Sequence, residues 1–215
     1  MEFTRQAGLV NREVLASPLC LVGAGAIGSF TALILAKMGY QGPMEIWDDD
    51  LVEAHNLPNQ FYPQESIGQD KVAVLRQMIA QFTGKEVQPV IGKCQDPTAG
   101  HEVLVLAVDS MDERIRLYQS AKTRGYRWVF DGRMGGETMR LYTAHLEKPS
   151  DVELYESMLY PSSEATPIPC TERTVIYNVA VVAGLLANQI KRALMHQAYK
   201  REIIFNLASL TLMTR

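Results

Sequence analysis

Apolar residues along the chain fall into short runs separated by segments in which they recur at helical spacing. The runs at residues 19–22, 44–47, 103–108 and 128–131 predict buried strands. Residues 87–91 predict a further strand, which its proline places at an edge of the sheet. Helices are predicted over residues 30–38, 70–82 and about 110–124. Strand alternating with helix is typical of an α/β protein with a mostly parallel sheet.

The pattern changes after about residue 145. Residues 147–170 contain four prolines and several serines, and predict a long loop with one helical turn near residues 152–158. An apolar helix follows, with Val175 and Ile190 at the two ends of its apolar face. Residues 202–213 predict one or two strands that extend the sheet.

Composition and charge narrow the function classes. The length of 215 residues suits one domain, and the formal charge of −3 gives no electrostatic reason to expect nucleic acid. The longest apolar run, Val175 to Ala187, is too short to span a bilayer, and the charged N-terminus lacks a signal-peptide core. Three widely spaced cysteines argue against a disulfide framework. We therefore expect a cytoplasmic protein that binds neither nucleic acid nor membranes.

A glycine-rich turn, Gly23-Ala24-Gly25-Ala26-Ile27-Gly28, lies between the first predicted strand and the first predicted helix. In such a turn the first glycine permits the tight bend, the second lets a phosphate approach, and the third lets the helix pack on the sheet. The helix N-terminus favours anions. Asp48, at the end of the next strand, is placed to hold ribose hydroxyls. These features predict nucleotide binding but do not separate an ATP-using enzyme from a nicotinamide enzyme.

The segment from Asp48 to Lys71 distinguishes an ATP-using enzyme from a nicotinamide enzyme. It resembles the pattern D-x-D-x-V-E-x-x-N-L-x-R-Q, followed after a short gap by G-x-x-K, of the ThiF/MoeB/HesA family of adenylyltransferases related to ubiquitin-activating enzymes. The matching residues are Asp48, Asp50, Val52, Glu53, Asn56, Leu57, Gln60, Gly68 and Lys71. Arg5 with Gln6 also resembles the family's N-terminal R-Q. The resemblance covers residues 5 to about 131 well and the remainder loosely.

The resemblance implies a Rossmann-like, mostly parallel sheet flanked by helices, with a crossover loop and C-terminal strands that extend the sheet. It implies ATP- and Mg²⁺-dependent adenylation of the C-terminal carboxylate of a small ubiquitin-like or sulfur-carrier protein with a C-terminal glycine tail. It divides a single domain into a nucleotide-binding half, residues 1–131, and a half for partner binding and dimerisation, residues 132–215. The family's N-terminal arginine reaches into the neighbouring subunit's site, so the resemblance implies a homodimer with Arg5 acting in trans.

The resemblance also assigns roles. Lys71 is expected to meet the phosphates, and Asp109, which follows a buried strand, is expected to hold Mg²⁺ directly or through water. Taken singly, Lys71 is equally a solvated charge and Asp109 equally a helix cap, and their order and spacing favour the functional interpretation. The expected nucleotide-binding residues are Gly23, Gly25, Gly28, Asp48, Asp50, Asn56, Asn59, Gln60 and Lys71.

Asn59 departs from the family, which usually has arginine there. Losing a preorganised charge aimed at a phosphoryl group can cost ~10²–10³ in rate. Three outcomes stay open: a slower enzyme, substitution by another arginine, or a relative that binds nucleotide without turning it over. The candidate substitutes are Arg12, Arg76 and Arg133. A second departure is the absence of the paired C-x-x-C zinc motifs of many bacterial members.

Cys170 precedes the last apolar helix, where several family members carry an acceptor cysteine. A helix N-terminus and the nearby Arg173 favour the reactive thiolate, which would attack the acyl-adenylate. The alternative is a small apolar residue that fills a gap beside Pro169. Cys20 is predicted to lie in the core, and Cys94 has no supporting context.

Arg133, with the glycines around it, predicts a flexible loop that contacts the partner's tail or forms a plain turn. Two rival functions remain. A nicotinamide-dependent oxidoreductase predicts NAD affinity, but the sequence offers no convincing catalytic histidine or Tyr-x-x-x-Lys arrangement. A non-catalytic nucleotide-binding relative is supported mainly by Asn59.

Overall fold

The computed structural model describes residues 1–164 and 174–215. Within these residues, eight strands form one sheet in the order β3-β2-β1-β4-β5-β6-β7-β8. Strands β1 to β5 pair in parallel, and β5 to β8 pair antiparallel. The strands are β1 (Leu19–Val22), β2 (Met44–Asp48), β3 (Gln88–Ile91), β4 (Val103–Leu106), β5 (Trp128–Gly135), β6 (Thr138–His145), β7 (Glu202–Asn206) and β8 (Thr211–Thr214).

Helices cover both faces of this sheet. They are α1 (Ala26–Met38), α2 (Lys71–Thr83), α3 (Met111–Thr123), α4 (Pro149–Glu156) and α5 (Ile176–Leu194). The buried residues of α1, α2 and α5 join one apolar cluster, and those of α3 and α4 join a second cluster on the opposite face. Because β1 and β4 lie between the two clusters, every residue of both strands is buried.

Local sequence explains where several helices begin and end. Helices α1 and α2 end at Gly39 and Gly84, which adopt the left-handed conformation that glycine tolerates. Helix α3 begins after Ser110, whose hydroxyl accepts a hydrogen bond from the backbone N–H of Glu113 at 3.3 Å. Pro149 opens α4 at a first-turn position, where its missing N–H costs nothing.

Most of the predicted elements are confirmed. The fold is α/β with a mostly parallel sheet, β3 lies at the sheet edge as its proline predicts, and residues 202–213 contain two strands. Helix α5 is confirmed at the predicted apolar segment. Within residues 1–164 and 174–215, every helix is too short or too polar to span a bilayer.

One expectation was wrong, one strand was missed, and one helical segment has different bounds. The last strand of the parallel set does not stop at residue 131 but continues to Gly135, so Arg133 lies in β5 and not in a flexible loop. Strand β6 was not predicted, because buried polar residues such as Thr143 and His145 interrupt its apolar pattern. The helical turn predicted near residues 152–158 is present as α4, which begins and ends earlier, at Pro149 and Glu156.

Candidate functional site

The glycine-rich turn leads from β1 into α1. At two of its glycines a side chain would clash with the backbone, and at the third there is free space. Gly23 has φ +98°, and a Cβ there would lie 2.6 Å from the carbonyl oxygen of Ala107. A Cβ on Gly28 would lie 1.8 Å from the carbonyl oxygen of Gly23, which no backbone shift of a few tenths of an ångström relieves. At Gly25, by contrast, the nearest atom to a Cβ would be Gln60 Nε2 at 3.8 Å. Gly25 therefore faces space that a ligand can use.

Asp48 ties this turn to the end of β2. Its carboxylate accepts hydrogen bonds from the backbone N–H groups of Ala24, at 2.6 Å, and Asp50, at 2.9 Å. Partial burial raises the pKa of Asp48, and the same two N–H groups oppose that rise. On the other side of the turn, the Tyr62 hydroxyl donates to the carbonyl of Ala24 at 2.5 Å. Sequence reasoning missed Tyr62, which carries no motif signal.

The chain from Asp48 to Lys71 leaves the end of β2 and folds back beside the residues that directly follow this strand. Residues Leu51 and Asp70 form an antiparallel bridge, and the backbone of Val52 bonds to Gln69 and Gly68, each at 2.8 Å. The closure sets Lys71 at the first position of α2, where its backbone N–H donates to the carbonyl of Asp50 at 3.1 Å. The matched family pattern is thus folded into one loop that begins at the end of β2 and closes beside Asp50.

Lys71 is a buried cation with an exposed partner. The residue is only 4% exposed, and its Nζ lies 2.6 Å from Oδ2 of Asp50. The side chain of Asp50 is 67% exposed. Because water already solvates that carboxylate, another anion can replace it beside Lys71 at small desolvation cost. The Ala24–Asp48–Asp50–Lys71 contacts form a continuous polar path from the glycine turn to this ammonium.

Three predicted nucleotide-binding residues lie between Asp50 and Lys71, and they differ in burial and in hydrogen bonding. Asn56 forms a capping box with Glu53, so its side chain shapes the loop. Asn59 is half-buried. The side-chain oxygen of Gln60 is buried and has no hydrogen-bond partner among the described residues. An unpaired buried acceptor costs about 1–3 kcal/mol, and the hydroxyl or amino donors of a nucleotide would satisfy it. The unpaired acceptor of Gln60 and the open space at Gly25 therefore fit a nucleotide.

Asp109 is exposed in the turn between β4 and α3. The turn is held from behind, because Nη2 of Arg114 donates to the carbonyl of Val108 at 2.5 Å. In the described part of the chain, one group of three potential metal-ligating side chains has its ligand atoms within 4.8 Å of one another, and it consists of Asp48, Asp49 and Asp50. Asp109 does not belong to that group.

A buried ionic cluster lies beneath this turn. Asp131 is fully buried and accepts from Nε of Arg114 at 2.7 Å, from Nε of Arg133 at 2.9 Å and from the Tyr155 hydroxyl at 2.9 Å. The guanidinium of Arg133 also lies 4.5 Å from the ring centre of Tyr142. Sequence reasoning missed the cluster, although an aspartate ending an apolar run was a signal for a paired charge.

The arginines proposed to replace the family arginine are occupied elsewhere. Arg12 bonds to the carbonyl of Gly39 at 3.3 Å, at the end of α1 far from the glycine turn. Arg76 pairs with Glu86 and lines a surface cavity of about 450 Å³ beside the start of β2. Arg133 is held by Asp131. None of the three is placed to take over the position of Asn59.

Arg5 lies at the same far end of α1. Its neighbour Gln6 donates from Nε2 to the carbonyl of Met38 at 2.6 Å, whereas the glycine turn precedes the first residue of this helix. Thirteen helical residues, about 20 Å, separate the two ends. The structure therefore does not bring Arg5 to the glycine turn of its own chain.

The cysteines divide into two groups. Cys170 and the neighbouring Arg173 lie outside the described residues. Cys20 and Cys94 are buried, as predicted for Cys20, and burial raises the pKa of the Cys94 thiol to about 12 and that of Cys20 further. Neither buried thiol is a nucleophile at neutral pH.

Comparisons with known proteins place this geometry in context. The family model described as "ThiF family" matches residues 4–214. No curated protein shows a significant sequence match to the chain. The crystal structure of PaaA has a TM-score of 0.74 at 15% identity, over 95% of this chain and 74% of PaaA.

Two structures of Escherichia coli MccB are similarly close. The complex with ATP has a TM-score of 0.73 at 14% identity, and the complex with MccA has a TM-score of 0.74 at 14% identity. They cover 95% and 94% of this chain, respectively, and 65% of MccB in each case. The chain thus spans just under two thirds of MccB. At these identities the likeness establishes a shared fold.

Proposed function

Because this chain belongs to the ThiF family, we propose that it is an adenylyltransferase, which joins a substrate carboxylate to the α-phosphate of ATP and releases pyrophosphate. The observation that carries the proposal is Lys71, a buried ammonium next to the glycine turn whose ionic partner Asp50 is mostly exposed. A phosphate can displace that carboxylate without leaving either charge buried and unpaired. The MccB structure with ATP, which shares the fold, supports ATP as the nucleotide.

The roles of the individual residues follow from their contacts. Gly25 leaves room for phosphates at the N-terminus of α1, and the unpaired oxygen of Gln60 accepts from the nucleoside. Asp48, at the junction of β2 and the glycine turn, accepts hydrogen bonds from the ribose hydroxyls. Lys71 stabilises the negative charge that develops on the phosphoryl oxygens. Asn59 is a hydrogen-bond donor where the family uses a charge.

Asp109 would hold Mg²⁺ together with phosphate oxygens, since Mg²⁺ is usually bound by one or two carboxylates and the substrate. The ion, when bound, neutralises phosphate charge during the transfer. Arg114 fixes the backbone just before Asp109, so the exposed carboxylate projects from a rigid turn. In the transfer itself, a carboxylate oxygen of the substrate forms the new bond to the α-phosphorus, and the bond to the pyrophosphate oxygen breaks.

The substrate that we propose is the C-terminal carboxylate of a small ubiquitin-like or sulfur-carrier protein. The MccB structure with MccA supports a polypeptide as substrate. We also propose a homodimer in which Arg5 serves the partner's site, as the resemblance to the family's N-terminal arginine implies. In its own chain, Arg5 lies at the end of α1 that is far from the glycine turn. Transfer of the acyl group to Cys170 remains part of the proposal, as do the two functional halves divided at residue 131 and a cytoplasmic location.

A second candidate, a nucleotide-binding relative without turnover, is favoured by one observation. Asn59 replaces a charge, and Arg12, Arg76 and Arg133 are each engaged elsewhere. If Arg5 of a second copy does not supply the missing cation, ATP binds but the barrier to transfer stays high.

ATP–pyrophosphate exchange with Mg²⁺ tests the proposal. Candidate carrier proteins ending in Gly-Gly serve as substrates, and Lys71→Ala and Asp109→Ala are compared with the wild type and with Lys122→Ala, which alters an exposed ion pair far from the turn. We expect exchange that requires a carrier and is lost in the first two variants only. ATP binding by calorimetry without exchange would favour the second candidate, and absence of ATP binding would refute adenylation.

A further inference from the structure

A cavity of about 450 Å³ lies at the amino ends of β2 and β3. The glycine turn and Lys71 lie instead at the carboxyl end of β2. Glu45, on the cavity wall, is separated from Asp48 by three extended residues, which span about 10 Å. The cavity volume falls in the range of small-molecule binding sites. The cavity is therefore separate from the candidate nucleotide site and large enough for a small ligand.

Glu45 places a buried carboxylate on this wall without a cationic partner. The residue is only 5% exposed, and its Oε1 accepts from the indole Nε1 of Trp47 and from the hydroxyl of Thr98, each at 2.6 Å. Both donors are neutral. In the described part of the chain, Glu45 forms no ion pair, and its Oε2 accepts no side-chain hydrogen bond but keeps some contact with solvent. A carboxylate this buried normally has a cation beside it, so a ligand cation is stabilising at Oε2.

The two donors hold the Glu45 carboxylate in one orientation. Trp47 lies two residues along the same strand and therefore on the same face of the sheet. Thr98 is anchored in turn, because its carbonyl accepts from the Tyr126 hydroxyl at 2.8 Å. The ring of His101 lies nearly parallel to that of Tyr126, with 6.4 Å between the ring centres. Oε2 of Glu45 is thus presented to the cavity by rigid surroundings, which lowers the entropic cost of binding.

The remaining charges on the cavity wall cancel one another. Arg76 donates from Nε to Oε2 of Glu86 at 3.1 Å, and its Nη2 lies 3.1 Å from the same oxygen. Both residues line the cavity, as does His101. With His101 neutral, Glu45 leaves the lining with a net negative charge. This sign favours a cation and disfavours an anion.

The rest of the lining suits an alkyl chain that ends in a hydrogen-bond donor. Gln88 pairs in register with Glu45 on the neighbouring strand, about 4.8 Å away, and both side chains line the cavity. Its amide oxygen is a second acceptor on the same face. Much of the remaining lining is apolar and consists of Pro43, Met44, Val87 and Pro89. An ammonium group offers three donors, enough for both acceptors.

We propose that this cavity binds a small aliphatic primary amine. The ammonium donates to Oε2 of Glu45 and to the side-chain oxygen of Gln88, and the alkyl chain packs against Val87 and the prolines. A metal ion is a poorer fit, because Glu45 belongs to no group of three potential metal ligands in the described part of the chain. The site goes beyond adenylation and does not depend on it.

The indole N–H of Trp47 reports directly on this site, because it donates to Glu45. The intact protein labelled with ¹⁵N-tryptophan gives two indole signals, and Trp128, three strands away in β5, is the internal reference. The Trp47 signal is assigned with Trp47→Phe. The probe is n-pentylamine, and the control is 1-pentanol, which has the same chain length but no charge. Both titrations are made without ATP.

We expect pentylamine to shift the Trp47 signal saturably and to leave the Trp128 signal in place. Its Kd should be at least ~10-fold lower than that of 1-pentanol, as a hydrogen bond to a charged group implies. Equal affinities for the two probes, or no saturable shift of the Trp47 signal with pentylamine, would overturn the proposal.

A pair of variants tests the role of the carboxylate. Glu45→Gln keeps the shape of the side chain and an acceptor for Trp47 but removes the charge. Glu102→Gln makes the same change at an exposed carboxylate just before β4, outside the cavity lining. We expect the Kd of pentylamine to rise at least ~10-fold in the first variant only. An unchanged Kd in a folded Glu45→Gln protein, as judged by its urea midpoint, would refute the assigned contact.

A third variant keeps the proposal testable if Glu45→Gln does not fold. Gln88→Trp changes an exposed position, retains the charge of Glu45 and fills part of the cavity. We expect it to weaken pentylamine binding at least ~10-fold while the urea midpoint stays near that of the wild type. Undiminished binding to this variant would show that the amine binds elsewhere and would overturn the proposal.

Discussion

Two cation–carboxylate clusters lie near the carboxyl ends of the parallel strands, and they differ in where the carboxylate is. Asp131 is fully buried and is shared by Arg114 and Arg133. Asp50, the partner of Lys71, is 67% exposed, although the lysine itself is as buried as Arg114. The chemistry of the two clusters is similar, and the solvation of the acidic partner is opposite.

This difference separates a structural charge from one that can act on a ligand. Every oxygen of Asp131 is engaged by protein donors, so a ligand could reach Arg114 or Arg133 only by stranding a buried carboxylate. Lys71 can exchange Asp50 for a phosphate because water then solvates the released carboxylate. The exposure of the partner, more than the burial of the cation, identifies the candidate functional residue.

The largest expected effect is on stability, in the buried cluster. Asp131→Asn leaves two guanidinium groups without their counter-charge, and we expect the free energy of unfolding to fall by about 3–5 kcal/mol. Urea denaturation followed by circular dichroism measures this loss. A loss below about 1 kcal/mol would show that the cluster is no more structural than a surface pair.

The next effect is on activity. Lys71→Met keeps the length and packing of the side chain but removes its charge, so we expect the rate of pyrophosphate exchange to fall ~10²–10³-fold. The free energy of unfolding should change by less than about 1 kcal/mol, because the exposed Asp50 loses little when its partner goes. If Lys71→Met lowered the free energy of unfolding as much as we expect for Asp131→Asn, Lys71 would be a structural charge, and the two clusters would not differ in role.

A smaller effect is expected when the exposed partner is changed. Asp50→Asn is the same chemical change as Asp131→Asn, yet we expect less than about 1 kcal/mol of destabilisation. ATP should bind up to about fivefold more tightly, because the phosphates no longer compete with a carboxylate for Lys71. Isothermal titration calorimetry measures the affinity, and weaker binding would mean that Asp50 positions Lys71 for the nucleotide.

The smallest effect concerns pH and Asp48. Its pKa is raised in the folded protein, so the folded state holds this proton more tightly than the unfolded state, and the associated stability is present at low pH and lost as pH rises through the folded pKa. A protonated Asp48 is a weaker acceptor for the ribose hydroxyls. As pH falls, ATP binding should therefore weaken at pH values above the ordinary pKa of an aspartate, while the protein is still folded. ATP affinity measured between neutral pH and pH 4 checks this. In the control variant Asp48→Asn, the affinity should no longer fall with decreasing pH in this range. If the ATP affinity of the wild-type protein fell only around the ordinary pKa of an aspartate, the role given to Asp48 would be contradicted.

The parallel half of the fold was predictable because its signals are local. Apolar runs, an edge proline and the glycine turn specify β1 to β4 and α1 without reference to distant residues. The antiparallel half was harder, because β6 buries Thr143 and His145 through contacts far away in sequence, and such a strand has no simple apolar period. The extension of β5 past Asp131 carries arginine and glycines, which suggest a loop until β6 is known to pair with it.

The candidate site shows the same limit. The order and spacing of Asp48, Asn56, Gln60 and Lys71 predicted a nucleotide-binding role for them, but not that Lys71 is paired or that Gln60 has an unpaired oxygen. Tyr62, Arg114 and Asp131 could not be found from a motif, because their partners depend on the packing of separate elements. The failure of Arg12, Arg76 and Arg133 to replace the family arginine likewise became visible only with the tertiary contacts.

The packing of α1 against α5 has a consequence for synthesis on the ribosome. The apolar surface of α1 belongs to the same cluster as Val182, Leu186 and Ile190 of α5. At ~5–20 residues per second, Leu194 is added roughly 8–30 s after Met38. Until then the nascent chain carries a helix whose covering partner does not yet exist. Truncation before α5 should therefore yield chains that aggregate and are retained by chaperones, even though the glycine turn and Lys71 are already in place.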